Sequence, residues 1–225
     1  MKLLKISLTV AIILLTVGNS TAQKLKSFGS SIEKKMGPVT KKVPYTDVVS
    51  YLGYAAIDTE DEVRDGKKFY YIYVWIPAVA PELGLRMVSP VGKMKVKNAI
   101  KGSGYDDNAS SEDYFDTYIT LERSDIITKD KISNAKNAKW NTLASNDDSS
   151  ELHKQPSGNS YNSVLRYKSK VGDPVGALTT GLYRIGFTTY KTGEVKGTFL
   201  AEVAAPIKLP GVVMAKTIEE LKRGL

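Results

Sequence analysis

The stretch Phe69-Tyr70-Tyr71-Ile72-Tyr73-Val74-Trp75-Ile76, stopped by Pro77, decides the reading of the fold. Alternate residues of a strand point to opposite faces, so Tyr70, Ile72, Val74 and Ile76 share one face and Phe69, Tyr71, Tyr73 and Trp75 the other. Neither face suits water, which predicts a central strand covered on both sides. Working backwards, the charged run Glu60 to Lys68 contains Asp65-Gly66, a two-residue hairpin signal, and Tyr45 to Ile57 reads as the strand before it. Working forwards, further β runs lie at 84–89, 114–123, 161–168, 181–190 and 196–204, with Gly, Pro, Asn and Asp between them. Tyr190-Lys-Thr-Gly193 reads as another turn, so 181–190 and 196–204 are expected to be antiparallel neighbours.

Helical pattern is sparse. Residues 128–139 place Ile132, Ala135 and Ala138 behind a Thr128 cap, and the tail pairs Thr217 with Glu220 as a capping box ahead of a short apolar stripe. Many short strands with one or two peripheral helices describe an all-β antiparallel sandwich, with jelly-roll and immunoglobulin topologies both open.

The N-terminus has the layout of a secretory signal peptide over residues 1–22. Lys2 and Lys5 precede an apolar run from Leu8 to Val17, followed by Ser20-Thr21-Ala22. That run is too short for a transmembrane anchor, and no later segment is long and apolar enough to span a bilayer. Residues 23–43 are lysine-rich and read as a basic arm, with order beginning near Pro44 and a single domain filling 44–225. Loss of Lys2 and Lys5 takes the formal charge from +8 to +6, so the exported domain stays basic. Outside the cytoplasm such a surface points to anionic glycans, lipid phosphate or acidic protein patches, and not to nucleic acid. Lys93, Lys95 and Lys97 alternate along one segment and are a candidate strip of this kind, although alternating lysines also discourage strand pairing.

The chain has no cysteine, so disulfides, thiolate metal sites and a lipid on an N-terminal cysteine are all excluded. His153 is the single histidine, and no zinc or nucleotide-phosphate motif is present. Acids on unrelated strands leave no spacing signature, so a carbohydrate-active hydrolase stays as an alternative, beside a structural envelope protein with no specific ligand. Tyr71, Tyr73 and Trp75 could serve as a sugar platform or as core. Oxygen-rich chemistry remains: Asn146-Asp147-Asp148-Ser149-Ser150 in a loop and Asp116-Thr117 on a strand. Calcium takes six to eight oxygen ligands and suits such a set, but a solvated turn explains the loop equally well. Because strand neighbours face opposite ways, Asp116 and Thr117 can serve together only through a backbone carbonyl or a distortion. The Glu60 to Asp65 cluster is a weaker rival for a cation.

Residues 70–93 (YYIYVWIPAVAPELGLRMVSPVGK), 115–123 (FDTYITLER), 161–166 (YNSVLR) and 181–201 (GLYRIGFTTYKTGEVKGTFLA) resemble, in this order, the leptospiral major outer-membrane lipoprotein family. The resemblance runs from about Pro44 to Val213. It implies a calcium-binding jelly roll on or near the outer membrane, with extracellular-matrix proteins as partners. It also implies a calcium site built from Asp116, Thr117, Asp147, Asp148 and Tyr161, the last through its backbone carbonyl. Two departures stand out: the family's long aspartate run is reduced here to Asp147 and Asp148, and its lipidated cysteine is missing. The expected protein is therefore exported, whether periplasmic, secreted or peripherally associated with the outer membrane, and is not anchored through cysteine.

Overall fold

The computed structural model describes residues 25–92, 94–147, 149, 161–191 and 193–225. The signal-peptide segment 1–22, Lys93, Asp148 and His153 lie outside them. The strands are β1 (Glu33–Met36), β2 (Val39–Lys42), β3 (Asp47–Ala55), β4 (Glu62–Arg64), β5 (Lys67–Ile76), β6 (Glu82–Val88) and β7 (Ile100–Lys101). They continue with β8 (Thr117–Ser124), β9 (Trp140–Asn146), β10 (Asn162–Lys168), β11 (Gly181–Thr189), β12 (Gly197–Ala205) and β13 (Val213–Ala215). Helices are α1 (Leu25–Phe28), α2 (Tyr105–Asn108), a 3-10 helix (Lys129–Asn137) and α3 (Ile218–Arg223). No helix among the described residues is long and apolar enough to cross a membrane.

Two sheets face one another, ordered β10-β6-β12-β3-β7 and β13-β5-β11-β8-β9, with β4 paired to β5. Of the long strands β3, β5, β6, β8, β9, β10, β11 and β12, the first, eighth, third and sixth are neighbours in one sheet. The second, seventh, fourth and fifth are neighbours in the other, which is the winding of a jelly roll. Every pairing is antiparallel except the short β3–β7 contact.

Strand β5 behaves as its pattern predicts. Tyr70, Ile72, Val74 and Ile76 enter the core between the sheets, together with Leu85, Leu121, Ile185 and Phe199. On the opposite face Trp75 packs with Ile126, Ile132, Leu182 and Leu221 beneath the 3-10 helix and α3. Burying a large apolar side chain contributes about 1.5–3 kcal/mol. Five such residues therefore supply, as a gross term, an amount comparable with the whole net stability of a domain, about 5–15 kcal/mol. The hairpin at Asp65-Gly66 forms as read: both residues have positive φ, 51° and 75°, as a type I′ turn requires. The capping box of α3 is also present, with Thr217 Oγ1 accepting the Glu220 N–H and Glu220 accepting the Thr217 N–H.

Three expectations are corrected. Strands β11 and β12 are not hairpin neighbours: β11 pairs with β5 and β8, while β12 pairs with β3 and β6 in the facing sheet. Strand β11 thus ends in one sheet and β12 begins in the other, and Phe187 and Phe199 meet across the core with ring centroids 4.7 Å apart. Both strands are buried on both faces, so no polar edge distinguished pairing from stacking. The helix expected over 128–139 is a 3-10 helix over Lys129–Asn137, whose turn of three residues matches the Ile132, Ala135, Ala138 spacing better than 3.6 does. Its Thr128 makes no side-chain cap.

The third correction concerns the basic arm, which is structured well before Pro44. Leu25 is fully buried with Tyr45 and Val164 on the outer face of the first sheet. The Leu25 N–H reaches Glu202 at 3.3 Å, and the Ser31 N–H reaches Glu82 at 2.9 Å. Beneath this cover Arg86 pairs with Glu202 at 2.8 Å, both almost wholly buried, and the Tyr45 hydroxyl donates to Glu82 at 2.7 Å.

Gly84 is the position on which the Tyr45 cover depends, because a methyl there would overlap the Tyr45 ring. Gly84→Ala is expected to destabilise the protein by about 1–3 kcal/mol in denaturant unfolding. Because Tyr45→Ala removes the obstacle, the double variant should fall well short of the sum of the two single losses.

Candidate functional site

Of the residues singled out for a cation, Asp116, Thr117, Asp147 and Tyr161 lie where the open edges of the two sheets meet, and Asp148 lies outside the described residues. Strand β8 pairs with β9 in the register Ile119↔Asn146, so the chain leaving β9 passes alongside the start of β8. Strand β10, on the edge of the other sheet, approaches the same place. The seam is closed by individual contacts: Asn146 Nδ2 donates to the Val164 carbonyl at 2.7 Å, and the Ser149 N–H to the Asn162 carbonyl at 3.1 Å.

Asp116 sits half-buried just before β8, and its carboxyl is held above the ordinary aspartate value, first by burial and then by the negative charge of Asp147. Lys191 offsets this in part. The charge of Asp147 is thus felt at Asp116. Thr117 points the other way, into the sandwich, and is fully buried. The Ser163 hydroxyl donates to the Thr117 carbonyl at 2.7 Å, so the 2.8 Å contact between the two hydroxyls must use the Thr117 proton. That leaves the lone pairs of Thr117 Oγ1 unspent. The Tyr161 carbonyl accepts the Ser89 N–H at 3.1 Å, and the Tyr161 ring stacks on Tyr114 at 4.5 Å. Among the described residues no group of three or more His, Cys, Asp or Glu side chains converges. The described oxygens near this seam are the Asp116 and Asp147 carboxylates, the Tyr161 carbonyl and, on the opposite side of the chain from Asp116, the Thr117 hydroxyl, all of the hard type that calcium takes.

A second polar site lies on the outer face of the other sheet, where a cleft of about 540 Å³ is lined by Glu62, Arg64, Tyr73, Glu122, Trp140 and Arg184. Arg184 meets Glu122 at 2.7 Å and lies between the rings of Tyr71 and Trp140, 3.6 and 4.3 Å from their centroids. Arg64 reaches the same Glu122 at 3.0 Å, and Tyr71 donates to Glu62. Sequence reading missed this network because its pairs come from strands far apart, Arg184 and Glu122 being 62 residues distant. The available signal was Arg184, the one charge inside β11, since in β8 Glu122 stands next to Arg123. Of the aromatic trio, Tyr71 and Trp75 are buried, and Tyr73 alone reaches the cleft partly exposed, 6.1 Å from Trp140. Within the Glu60 to Asp65 cluster, Glu62 pairs with Arg64 and Asp61 with Lys216. Lys95 and Lys97 are exposed and alternate with Met94 and Val96, which pack inward.

Removing Glu122 would leave the Arg64 and Arg184 guanidinium groups with only the more exposed and more distant Glu62 as counter-charge. Glu122→Leu is expected to cost about 3–5 kcal/mol in equilibrium unfolding. For Asp116, the folded state binds the proton more tightly than the unfolded state. Stability therefore falls as pH rises from the ordinary value of about 4 towards the raised one, and the penalty is complete above it. In excess chelator Asp116→Asn should melt higher than the parent at neutral pH, with the gap closing in acid.

A comparison with known families matches residues 39–214 to the surface lipoproteins of the Spirochaetales order (Lipl32), and the cysteine-free sequence fits a form that is not lipidated. No curated protein matches the chain. Since the matched span covers most of the sequence and both sheets, the chain belongs to the Spirochaetales surface-lipoprotein family, whose members are exported to the cell surface.

Proposed function

We propose that the protein is an exported, calcium-stabilised and non-catalytic binding module of the cell envelope, with extracellular-matrix proteins or anionic glycans as its partners. The observation that carries this reading is the approach of Asp116 and Asp147 at the seam, where the negative charge of Asp147 adds to burial in raising the proton affinity of Asp116. A divalent cation would relieve that repulsion. Asp116 and Asp147 would hold it by charge, with Asp148, the Tyr161 carbonyl and the Thr117 oxygen completing the set beside water. When bound, calcium supplies electrostatic cross-linking and no reaction chemistry. The residues it would join belong to the start of β8, the loop after β9 and the start of β10, so it would tie one sheet to the other. The hydrolase alternative gains nothing from the outer-face cleft, because Glu122, Glu62 and Asp61 are each engaged by arginine or lysine.

The test is thermal unfolding in chelator and across a calcium titration. At a free calcium concentration one hundred times Kd, binding to the folded state alone contributes about 2.7 kcal/mol. For a chain of this size that raises Tm by roughly 5–10 °C. Asp147→Ala/Asp148→Ala should abolish the rise. Retention on immobilised matrix protein and on heparin, with and without calcium, then measures the binding role. A folded parent with no calcium response would sink the calcium reading, and retention on neither matrix would sink the partner.

A further inference from the structure

Strands β1 and β2 belong to neither face of the sandwich. They form a separate two-stranded hairpin, and every one of their residues is exposed. Isolated hairpins are marginal in water, so one that projects from a domain needs an explanation. The base of this one is fixed: the Ser30 N–H bonds the Val43 carbonyl at 2.8 Å, the Val43 N–H bonds the Ile32 carbonyl at 2.7 Å, and Ser31 is held by Glu82.

The register arranges its chemistry by height. Lys34 stands opposite Lys41, and two residues further out, on the same face, Met36 stands opposite Val39 beside the Gly37-Pro38 turn. Met36 and Val39 are 58% and 49% exposed, so the tip offers apolar surface to solvent. Lys35 and Lys42 add charge on the other face, giving four lysines against the single acid Glu33. Like charges placed directly across a strand pair are unfavourable unless a counter-charge is near.

The geometry points to a membrane-docking hairpin, with anionic lipid headgroups taken by Lys34 and Lys41 and the Met36/Val39 tip entering the headgroup boundary. The two rungs are about 7 Å apart along the strands. Interfacial segments bury their apolar face roughly 5–10 Å into the boundary, so the rungs are spaced to place charge at the phosphates and the tip below them. Edge protection would account for the lysines but not for an apolar tip. A glycan would account for the charge but not for the tip either. The chain belongs to a family of surface lipoproteins yet has no cysteine to carry a lipid, so a peptide contact of this kind would provide a hold of its own. This inference is independent of the calcium site.

The test is co-sedimentation of the purified exported protein with phosphatidylcholine vesicles, with and without about one-third phosphatidylglycerol, across a salt series. Binding is expected on the anionic vesicles only and should weaken with salt. Lys34→Glu/Lys41→Glu should weaken it at least about tenfold and Met36→Ser/Val39→Ser several-fold, with thermal unfolding unchanged in both. Lys34→Gln/Lys41→Gln provides a milder version should the reversal disturb the hairpin. Undiminished binding by the charge variants would overturn the proposal. So would a tip variant that binds as the parent does while heparin retention depends on the lysines, since the hairpin would then be a glycan site.

Discussion

The constraint on which this structure rests is that its central strands have no face that tolerates water. In β5, β11 and β12 the residues on both sides are almost all buried. A two-layer sandwich would leave one side of each strand in solvent, so the chain supplies covers. The 3-10 helix and α3 lie over Trp75 and Leu182, while Leu25 and Tyr45 lie over Val164 and Ala204. A third patch, formed by Val91, Met94, Val96 and Tyr105, covers Leu52, Val88 and Leu200. Each outer face also holds a cross-strand arginine–glutamate pair, Arg86–Glu202 in one sheet and Arg184–Glu122 in the other. Such pairs gain little net stability over apolar residues, but losing one partner strands a buried charge. They therefore fix which strands can lie side by side in sheets whose apolar pattern alone would allow several arrangements.

That same double burial sets the limit on what the amino-acid sequence discloses. Where a local rule applies, it is legible: the period-2 pattern of Phe69–Ile76, the Asp65-Gly66 turn and the Thr217/Glu220 box all have their meaning within a few residues. Sheet membership does not. Apolar runs such as 181–189 and 197–205 look the same whether they pair edge to edge or stack face to face, and a turn-like Tyr190-Lys-Thr-Gly193 tips the reading towards the hairpin. Only the long-range contact of Phe187 with Phe199 distinguishes the two. The lysine-rich start misleads for the opposite reason, because a single Leu25 and the backbone N–H groups of Leu25 and Ser31 suffice to dock it.

The candidate cation site divides along the same line. Strand alternation alone foretold that Asp116 and Thr117 face opposite ways, and they do. The approach of Asp116 to Asp147 depends on the β8–β9 ladder, which was not legible because no strand was read between the helical pattern of 128–139 and the loop at Asn146. The outer-face network had still less local signal, since Arg64, Glu122 and Arg184 come from three separate strands.

Closure of the sandwich is where these threads meet. The sheets are knitted internally by continuous ladders, but the side between β9 and β10 is held by single contacts, Thr117 to Ser163, Asn146 to Val164 and Ser149 to Asn162. A ladder distributes its strength over many bonds, whereas a seam of this kind concentrates it in a few side chains and in whatever neutralises the charge beside them. Asp116 and Asp147 lie at that seam, so the charge between them bears on a join of the two layers, and a cation there would act on the same join. The opposite end of the logic is the β1–β2 hairpin, which closes nothing and buries nothing. Its four lysines and apolar tip cost the fold little and gain it little, which leaves its sequence free to be set by what lies outside the protein.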